Sequence, residues 1–586
     1  MSESVTKNSK TIYGITIDLS RDNLFTPLGL LRMKDSYLKP DETSPQERFA
    51  FVARAFASDD EHAQRLYDYA SKQWLSFSTP ILSYGRTKRG LPISCYLNYM
   101  EDSSEGLIEN LSETNTLSMA GGGVGVHVQI RSADDKSVGV MPHMKIYDAS
   151  VEAYRQGTTR RGSYAAYLDI CHPDIELFLD MRKPTGDPRL RCENLHHGIN
   201  ITEDFMQIIE RAMLDANADD SWNLVDPTGV VRKTVSAKEL WQKILATRMQ
   251  TGEPYLHFID TARKDAEVGP DKLYGSNLCA EIELPTGPDL TAVCCLSSVN
   301  LMYWEDWKYD HWFYYDILLM LENVCKVFER DAPDALWRAL RFVREYRSVG
   351  VGTLGFHSLL QSKGIPWESP MAKGLNLKIF SNIRSKLDWA NTTLAEKLGA
   401  TKYANGKRFS HVMAIAPTAS TSIVLGNISP SVEPIRANVY RQDTLSGSHI
   451  HRNPVLESLA LLSEKDWQSC LQHDGSIQHL DHIDEGVRDV FKTAMEIDQR
   501  WVVEFAADRA EYIDQGQSVN LFFPPSVDVA YLHACHFQAW KHGVKALYYC
   551  RSDKLRKADK IGQQIERIKI DMTALAKGDD ECLACQ

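Results

Sequence analysis

Short apolar runs alternate with amphipathic segments along this chain, and the alternation constrains its fold more than any single motif does. Ala292–Leu296, Val412–Ala416, Ser518–Phe522 and Ala546–Tyr549 are such runs, and helical patterns lie between them. Strands of a parallel sheet give continuous apolar runs, because helices cover both faces of the sheet. The pattern therefore predicts a largely parallel α/β architecture.

Length and charge exclude several functional classes. A chain of 586 residues is long enough for several domains or for one barrel with insertions. The net charge of -12 argues against a nucleic-acid coat or an anionic-membrane binder, because both need clustered Lys and Arg. No run reaches the roughly 18 apolar residues that span a bilayer, and the first residues carry no apolar secretion signal. We therefore expect a cytoplasmic protein with neither a membrane nor a nucleic-acid partner.

The cysteine content fits a reducing compartment. Twelve cysteines in a chain with no secretion signal predict free thiols, most of them small buried side chains. We assign this ordinary role to Cys171, Cys325, Cys470, Cys535 and Cys550.

Local patterns predict some elements directly. Residues 46–75 space their apolar side chains three and four apart, which predicts an amphipathic helix. Residues 105–119 are predicted to be helical, Gly121–Gly125 breaks that helix, and Val126–Ile130 alternates like a strand. After about Asp559 the chain turns charged, which predicts a flexible solvated tail.

Asn277, Cys279 and Glu281 place an amide, a thiol and a carboxylate at alternating positions. A cysteine near a glutamate is most often an ordinary buried cysteine, so the triplet is weak evidence by itself. In an extended segment, side chains two residues apart face the same side. The carboxylate would then be placed to act as a general base beside the thiol.

Two separated thiols and a terminal dithiol accompany the triplet. Cys95 and Cys294 are so far apart in sequence that only the fold could bring them within bonding distance, and Cys295 is the rival of Cys294. Cys582 and Cys585 form a C-x-x-C pair in the tail. A structural zinc site needs four ligands and usually two such pairs. Because the sequence has only one, a redox dithiol is favoured over zinc.

Three further patterns have competing interpretations. Tyr548 and Tyr549 end an apolar run, where adjacent aromatics are ordinarily core residues. Pro417–Ser422 follows a strand-like run and is either a phosphate-binding turn or an ordinary capped loop. The glycines of residues 350–355 fit a dinucleotide-binding pattern, but the preceding segment is a poor strand and no βαβ unit with a ribose-binding acid is evident. We interpret these glycines as sites of tight packing.

Together, these motifs resemble the large (alpha) subunit of the class I ribonucleotide reductases, from about Trp74 to Gln586. The resemblance implies a ten-stranded α/β barrel over residues 74–558, an N-terminal helical region over 1–73 and a flexible redox tail over 559–586. It also implies reduction of ribonucleoside diphosphates to 2′-deoxyribonucleoside diphosphates by thiyl-radical chemistry.

The resemblance assigns a role to each member of the triplet. Cys279 would become a transient thiyl radical that takes the 3′ hydrogen of the ribose. Glu281 would accept the proton of the 3′-hydroxyl group, and Asn277 would hold the substrate by hydrogen bonds.

The remaining thiols also receive roles from the resemblance. Cys95 and Cys294 would reduce the 2′ position and leave as a disulfide. Cys294 is preferred to Cys295, because the family places this thiol before an x-Leu-Ser/Ala segment. Cys582 and Cys585 would then reduce the disulfide by thiolate exchange and would themselves be reduced by thioredoxin or glutaredoxin.

Tyr548 and Tyr549 would relay an electron and a proton between Cys279 and a radical on a partner subunit. They favour class I over the cobalamin-dependent class, which makes its radical locally and often carries an Asp-x-His-x-x-Gly motif that this sequence does not contain. Di-metal carboxylate sites use two Glu-x-x-His pairs on facing helices, and only Glu193–His196 fits. The radical would therefore come from a beta subunit with an iron or manganese di-metal centre, and this chain would bind no metal.

Nucleotide contacts follow from the same resemblance. Substrate-binding positions are implied at Thr79, Ser94, Gly122, Pro417, Thr418, Ala419, Ser420 and Thr421. Asp102 and Arg131 would bind effectors, namely ATP and deoxynucleoside triphosphates, although the stretch before Arg131 is about one residue shorter than the family pattern. Lys183–Glu193 would relay the identity of the effector to the substrate.

The chain departs from the family at its start. Typical class I large subunits carry an N-terminal ATP-cone, and too few residues precede Thr79 to hold one. We therefore expect no overall on/off control by ATP and dATP. Such a compact form suits a viral enzyme in the host cytoplasm, as a homodimer or, alternatively, a monomer. A catalytically inactive nucleotide-binding regulator is disfavoured, because five cysteines, Glu281 and both tyrosines are present.

Overall fold

Strands and helices alternate along most of the chain. The computed structural model describes residues 9–87, 90–154, 163–215, 217–444 and 447–552. Its strands are β1 Ser9–Ile12, β2 Ile15–Asp18, β3 Leu75–Phe77, β4 Cys95–Met100, β5 Gly123–Val128, β6 Ser163–Asp169, β7 His196–Ile201, β8 Ser221–Val225, β9 Val231–Ser236, β10 Tyr255–Phe258, β11 Ala292–Asn300, β12 Val349–Leu354, β13 Val439–Thr444, β14 Gly447–Arg452, β15 Leu521–Phe522, β16 Ala546–Leu547 and β17 Cys550–Arg551.

The helices connect these strands or precede them. They are α1 Pro27–Arg32, α2 Pro45–Phe56, α3 Asp60–Ser71, α4 Thr79–Leu82, α5 Ser104–Met119, α6 Val140–Ala153, α7 Ile175–Asp180, α8 Glu203–Leu214, α9 Ala237–Thr251, α10 Ile259–Asp265, α11 Trp304–Trp307, α12 His311–Asp331, α13 Trp337–Glu345, α14 Phe356–Ser362, α15 Pro370–Leu398, α16 Ala419–Val424, α17 Pro454–Ser458, α18 Glu464–Gln472, α19 Glu485–Val490, α20 Gln499–Ala510 and α21 Val529–Lys541. The helix predicted over residues 105–119 is confirmed along its whole length by α5.

The helical prediction for residues 46–75 is only partly correct. The chain leaves α2 at Ala57 in an extended conformation, and Asp59 then caps α3 by accepting a hydrogen bond from the backbone N–H of His62. Short polar side chains such as Asp favour caps over helix interiors because they hydrogen-bond nearby backbone groups. Two capped helices therefore replace one continuous helix.

The first half of the barrel is regular. Strands β4, β5, β6, β7 and β10 are neighbours in this order, and every pair is parallel. Helix α5 connects β4 to β5, α6 connects β5 to β6, and α8 and α9 precede β10. Parallel neighbours need such crossover connections, so this half is a simple series of strand–helix units.

The second half is parallel too, but beyond β12 its ladders are short. Strand β11 pairs with β12, which bridges through Val351 to Met413. The chain around Ile415 bridges in turn to Gln517, and β15 pairs with β17. The runs predicted as strands at 412–416 and 518–522 thus lie in the barrel wall with few ladder hydrogen bonds of their own.

Two antiparallel seams join the halves into a closed ring. Strand β11 pairs with β4 at one seam, and β10 pairs with β16 at the other. Among the described residues, ten stretches of chain follow one another around this ring. The predicted ten-stranded α/β barrel is therefore confirmed.

Strand β12 contains the glycines that fit a dinucleotide-binding pattern. A Cβ atom on Gly350 would lie 2.6 Å from Leu296 and 2.8 Å from Ala414, and one on Gly352 would lie 2.8 Å from the carbonyl oxygen of Ala414. Real side chains do not tolerate such distances, so the glycines let the neighbouring segment approach β12 closely. The interpretation as tight packing is confirmed.

One continuous apolar core joins the N-terminal helices to the barrel, and a smaller cluster around Leu456 and Trp467 lies near the β13–β14 hairpin. Strand β3 pairs with β11, so the N-terminal region and the barrel also share a ladder. The predicted boundary at residues 73 and 74 stays a prediction. Within the described parts of the chain, no helix has the length and apolar character needed to cross a membrane.

Candidate active site

The segment between α10 and β11 runs through the inside of the barrel. On one side, the Tyr167 hydroxyl of β6 donates to the carbonyl oxygen of Asn277 at 2.6 Å. On the other side, the backbone N–H of Gly516 donates to the carbonyl oxygen of Glu281 at 2.8 Å. Because this loop contacts both walls, we call residues 274–283 the central loop.

The central loop makes a tight turn at the predicted triplet. Asn277 Oδ1 accepts hydrogen bonds from the backbone N–H groups of Glu281 and Ile282, at 3.0 and 3.2 Å. Ala280 has a φ of 60°, in the left-handed region that costs a residue with a side chain about 1 kcal/mol or more. The alternation expected for an extended segment is wrong here, because the chain turns and the Asn277 side chain caps that turn.

Cys95 and Cys294 meet at the antiparallel seam between β4 and β11, where they are directly opposite each other. Opposite residues of an antiparallel pair have Cα atoms about 4.5–5.5 Å apart, which lies within the range of about 4.4–6.8 Å that a disulfide spans. Both cysteines are fully buried, and neither is in a disulfide in this structure. The pair is therefore placed to form a disulfide with little movement of the backbone.

Cys295 points away from this pair. Successive side chains of a strand face opposite sides of the sheet, so Cys295 lies on the outer face when Cys294 lies on the inner one. Burial, and next the nearby Cys325 thiol of α12, raises the pKa of Cys295 well above its ordinary value. On the inner face, burial and the Cys95 thiol likewise raise the pKa of Cys294, so this thiol stays protonated at neutral pH.

Glu281 lies beside the thiols, fully buried. Its Oε1 atom is 3.9 Å from the Cys95 sulfur. Ser518 Oγ lies 3.3 Å from Glu281 Oε2 and 2.6 Å from the carbonyl oxygen of Cys279. One hydroxyl group thus contacts both the carboxylate and the backbone of Cys279.

Tyr548 connects the central loop to the barrel wall. Its hydroxyl donates to the sulfur of Cys279 at 3.5 Å. The ring centroids of Tyr548 and Tyr549 are 4.2 Å apart, so the two phenols and the thiol form a continuous series of contacts. Tyr255 of β10 packs on both rings, at 4.7 and 5.2 Å.

The predicted phosphate-binding turn lines a small cavity. Thr418 and Thr421 border a cavity of about 10 Å³, together with hydroxyl groups of Ser76, Ser78 and Ser297. A space of this size holds about one water molecule. Pro417 precedes Thr418, and Ala419 and Ser420 begin helix α16, so the turn joins a barrel segment to a helix as predicted.

The other predicted substrate positions lie at the same end of the barrel wall. Ser94 Oγ is 3.5 Å from the Cys95 sulfur, and Thr79 Oγ1 is 3.2 Å from the Tyr37 hydroxyl. At Gly122, a Cβ atom would collide with the Tyr96 ring, so only glycine fits there. All three are buried, and Ser94 and Gly122 directly precede β4 and β5.

Asp102 and Arg131, the predicted effector positions, lie at the other end of these strands. They form an ion pair, with 3.6 Å between Arg131 Nη1 and Asp102 Oδ2. Both follow the carboxyl ends of neighbouring parallel strands, β4 and β5. At about 3.3 Å per residue, they are roughly 20 Å from Cys95 along the barrel.

Cys582 and Cys585, and the flexible tail predicted around them, lie outside the described residues. Among the residues that are described, no three His, Cys, Asp or Glu side chains form a group that could hold a metal ion.

No sequence motif predicted a role for two residues of the candidate site, Gln515 and Ser518. Gln515 Nε2 donates to the Cys294 sulfur at 3.3 Å, and Ser518 holds the central loop as described above. Four buried polar residues lie in the predicted 518–522 strand or just before it: Gln515, Gln517, Ser518 and Asn520. Polar side chains in an otherwise buried wall are the signal that could have identified this segment as part of the site.

Comparisons with known proteins agree with this geometry. The family model "Ribonucleotide reductase, barrel domain" matches residues 93–404 and 388–550. The model "Ribonucleotide reductase, all-alpha domain" matches residues 23–90.

Individual relatives cover nearly the whole chain. The ribonucleoside-diphosphate reductase large subunit of Invertebrate iridescent virus 3 is 45% identical, over 98% of this chain and 100% of that protein. A putative ribonucleoside-diphosphate reductase large subunit of Frog virus 3 is 44% identical, over 90% of this chain and 93% of that protein. The solved structure of an Actinobacillus ureae class Id ribonucleotide reductase alpha subunit, 32% identical, superposes with a TM-score of 0.79 over 90% of this chain and 97% of that one. The chain therefore belongs to the ribonucleotide reductase large-subunit family.

Proposed function

We propose that this chain is the catalytic subunit of a ribonucleoside-diphosphate reductase, which forms 2′-deoxyribonucleoside diphosphates by thiyl-radical chemistry. One observation carries the proposal. Cys279 contacts Tyr548, and Ser518 joins the backbone of Cys279 to Glu281. The Glu281 carboxylate lies 3.9 Å from Cys95, which is opposite Cys294. A radical relay, a hydrogen-abstracting thiol, a base and a reducing dithiol thus meet in one place.

The central loop begins the reaction. A thiyl radical at Cys279 takes the 3′ hydrogen atom from the ribose, and the Glu281 carboxylate accepts the proton of the 3′-hydroxyl group. Ser518 supports this pair, because it contacts both the carboxylate and the backbone of Cys279. Asn277 holds the loop with its Oδ1 atom, and its amide nitrogen is the atom we assign to the substrate.

Cys95 and Cys294 supply the two electrons of the reduction. The 2′-hydroxyl group leaves as water with one thiol proton, C2′ gains a hydrogen, and the two sulfurs form a disulfide. Cys279 returns the hydrogen to C3′ and Glu281 returns the proton to the 3′ oxygen, so the thiyl radical and the carboxylate are both regenerated. The protonated state of Cys294 suits this role, since a thiol supplies hydrogen where a thiolate supplies none.

Nucleotides bind at the two ends of the barrel strands. The substrate diphosphate is assigned to the turn formed by Pro417, Thr418, Ala419, Ser420 and Thr421. Thr418 and Thr421 of this turn border the small cavity. Thr79, Ser94 and Gly122 shape the neighbouring wall. Asp102 and Arg131 bind an ATP or deoxynucleotide effector, which selects the base to be reduced through Lys183–Glu193.

Partner proteins complete the cycle. A beta subunit with an iron or manganese di-metal centre supplies the radical, which reaches Cys279 through Tyr549 and Tyr548. The tail thiols Cys582 and Cys585 reduce the Cys95–Cys294 disulfide and are recycled by thioredoxin or glutaredoxin. The assembly works in the cytoplasm, of the host if the protein is viral, as a homodimer of this chain.

Deoxynucleotide formation tests the proposal directly. The full chain, assayed with a cognate beta subunit, thioredoxin and a ribonucleoside diphosphate, should turn over. Cys279→Ser should reduce the rate to background, while Cys171→Ser, which changes a thiol remote from the site, should keep it. Turnover by Cys279→Ser would refute the assignment, and beta-independent turnover with adenosylcobalamin would place the chain in the cobalamin-dependent class.

A further inference from the structure

Glu283 and His257 form a buried pair below the reacting residues. Glu283 ends the central loop, and His257 lies in β10 on the barrel wall. Glu283 Oε2 is 2.8 Å from His257 Nε2, and the two residues are 3% and 0% exposed. Neither contacts a reacting atom, so catalysis as proposed above makes no use of them.

The pair continues into a chain of hydrogen bonds that reaches the start of the same loop. His257 Nδ1 is 2.8 Å from Asn200 Oδ1. The Asn200 amide nitrogen donates to the carbonyl oxygen of Tyr274 at 2.7 Å and to Asp169 at 2.8 Å. One continuous network therefore holds both ends of the central loop, Tyr274 and Glu283, against the barrel wall.

The network also determines where its protons lie. The Asn200 nitrogen faces two acceptors, so its Oδ1 faces His257 as an acceptor and His257 Nδ1 carries a hydrogen. His257 Nε2 and Glu283 Oε2 lie within hydrogen-bond distance, so one hydrogen bond completes the network between them.

A shift of Glu283 would be passed to the reacting residues. Glu281 lies two residues before it, and the backbone of Glu281 is held by Gly516. A Cβ atom on Gly516 would lie 3.0 Å from Glu283 Oε1, so Glu283 also packs closely against this strand segment. The left-handed Ala280 makes the turn sensitive to such a shift, because its conformation depends on restraints on both sides.

We infer that His257 and Glu283 are positioning residues, which hold the central loop so that Cys279 and Glu281 keep their places in the barrel. The inference rests on the proposed function for its kinetic consequence. Its structural consequence, the shielding of Cys279 from solvent, does not depend on any activity. The two consequences therefore allow separate readouts.

The alternative is that the pair only stabilises the fold, and a double substitution separates the two roles. Removing one partner of a buried pair leaves the other unsatisfied, whereas replacing both by apolar groups often restores stability. Glu283→Leu should lower the melting temperature, and His257→Leu/Glu283→Leu should recover part of that loss. A positioning role predicts that kcat is lower than that of the wild type in both variants, by up to about 100-fold, while KM changes little.

Conservative and control variants complete the design. Glu283→Gln should keep kcat close to that of the wild type, because its amide can donate to the neutral His257 ring. Glu322→Gln changes a buried glutamate that pairs with Arg347 and Arg408 outside the barrel, and it should lower stability without changing the kcat of the folded protein.

Alkylation of Cys279 gives the readout that needs no turnover. The full chain is treated with iodoacetamide, and the Cys279 peptide is followed by mass spectrometry. Because Cys279 is fully buried, the wild type, Glu283→Gln and Glu322→Gln should react slowly, and both Leu-containing variants should react faster. Wild-type alkylation rates in the double variant would overturn the inference, as would a Glu283→Gln variant as reactive as Glu283→Leu. An inactive wild type with this alkylation pattern would instead overturn the proposed function alone.

Discussion

The two halves of the barrel are built differently, although each is parallel. In the first half, β4 to β10 form ladders of four to six paired residues through the strand backbones. In the second half beyond β12, ladder contacts shrink to single bridges and to two-residue strands.

Side chains replace much of the missing ladder in the second half. The Asp514 carboxylate accepts the backbone N–H groups of Val412 and Met413, both at 2.9 Å. Asn520 Oδ1 accepts the N–H of Tyr549 at 3.1 Å. Backbone groups buried in a barrel wall need partners, and a side-chain acceptor supplies one while it leaves the chain free to depart from strand geometry. The irregular half therefore contains the predicted phosphate-binding turn and the tyrosine pair, and the regular half serves as the frame.

The largest effect should separate the tyrosines of the two halves. Tyr548→Phe or Tyr549→Phe removes one redox-active hydroxyl group but keeps the ring volume, so packing should lose little. Deoxynucleotide formation should fall to background. Tyr255 lies in the first half and packs on the Tyr548 ring. Tyr255→Phe also removes one hydroxyl group, and this variant should retain most of the rate. Near wild-type rates in both second-half variants would leave them as ordinary core residues.

At the β4–β11 seam, a substitution in either half should have the same effect on turnover. Cys95→Ser and Cys294→Ser remove opposite members of one pair, so each should stop multiple turnover with thioredoxin. Cys295→Ser, one residue along the same strand but on the outer face, should keep turnover. Equal losses in Cys294→Ser and Cys295→Ser would contradict the assignment of the pair.

Side-chain support of the second half can be measured as stability. Asp514→Asn leaves one acceptor oxygen for two backbone N–H groups, and bonds to a charged acceptor contribute about 1.5–3 kcal/mol each. The free energy of unfolding should therefore fall by about 2 kcal/mol. Asp388→Asn is the control, because Asp388 pairs with the same Arg384 but is 37% exposed, and it should cost less than about 1 kcal/mol. Equal costs, from thermal or urea unfolding, would show that the ion pair and not the backbone contact matters.

The smallest effect concerns a joint between the halves. Glu113 of α5 accepts a hydrogen bond from Thr291, just before β11, at 2.9 Å. Burial raises the pKa of Glu113 from 4.5 to about 7. The native state thus keeps a proton that the unfolded chain releases, so this residue makes stability fall as pH rises between about 4.5 and 7.

Glu113→Gln removes this titration. The melting temperature of the variant, relative to that of the wild type, should therefore rise between pH 5 and pH 8 and be constant above that interval. Other titrating groups are shared by both proteins and cancel in the difference. A difference that does not change with pH would mean that Glu113 is ionised throughout.

Much of the fold was predictable because its evidence is local. Apolar runs indicated the strands, and the residues of α5 and the turn before α16 were predicted within a few positions. The break between α2 and α3 was missed, since a capping Asp in an amphipathic run is compatible with both one helix and two. The turn in the central loop was also missed. It is capped by hydrogen bonds to Asn277 Oδ1, which depend on a side-chain orientation that residue spacing does not encode.

The sequence by itself determined the family, the parallel α/β class and the set of residues that carry chemistry, because each depends on residue types at short spacing. The tertiary structure alone decided which of them meet. Strand register placed Cys294 opposite Cys95 and turned Cys295 outward, and closure of the ring brought Tyr548 to Cys279 and Ser518 to Glu281. These contacts join residues distant along the chain. Their geometry arises from ladder register and barrel closure, which are properties of the whole chain and of no single segment.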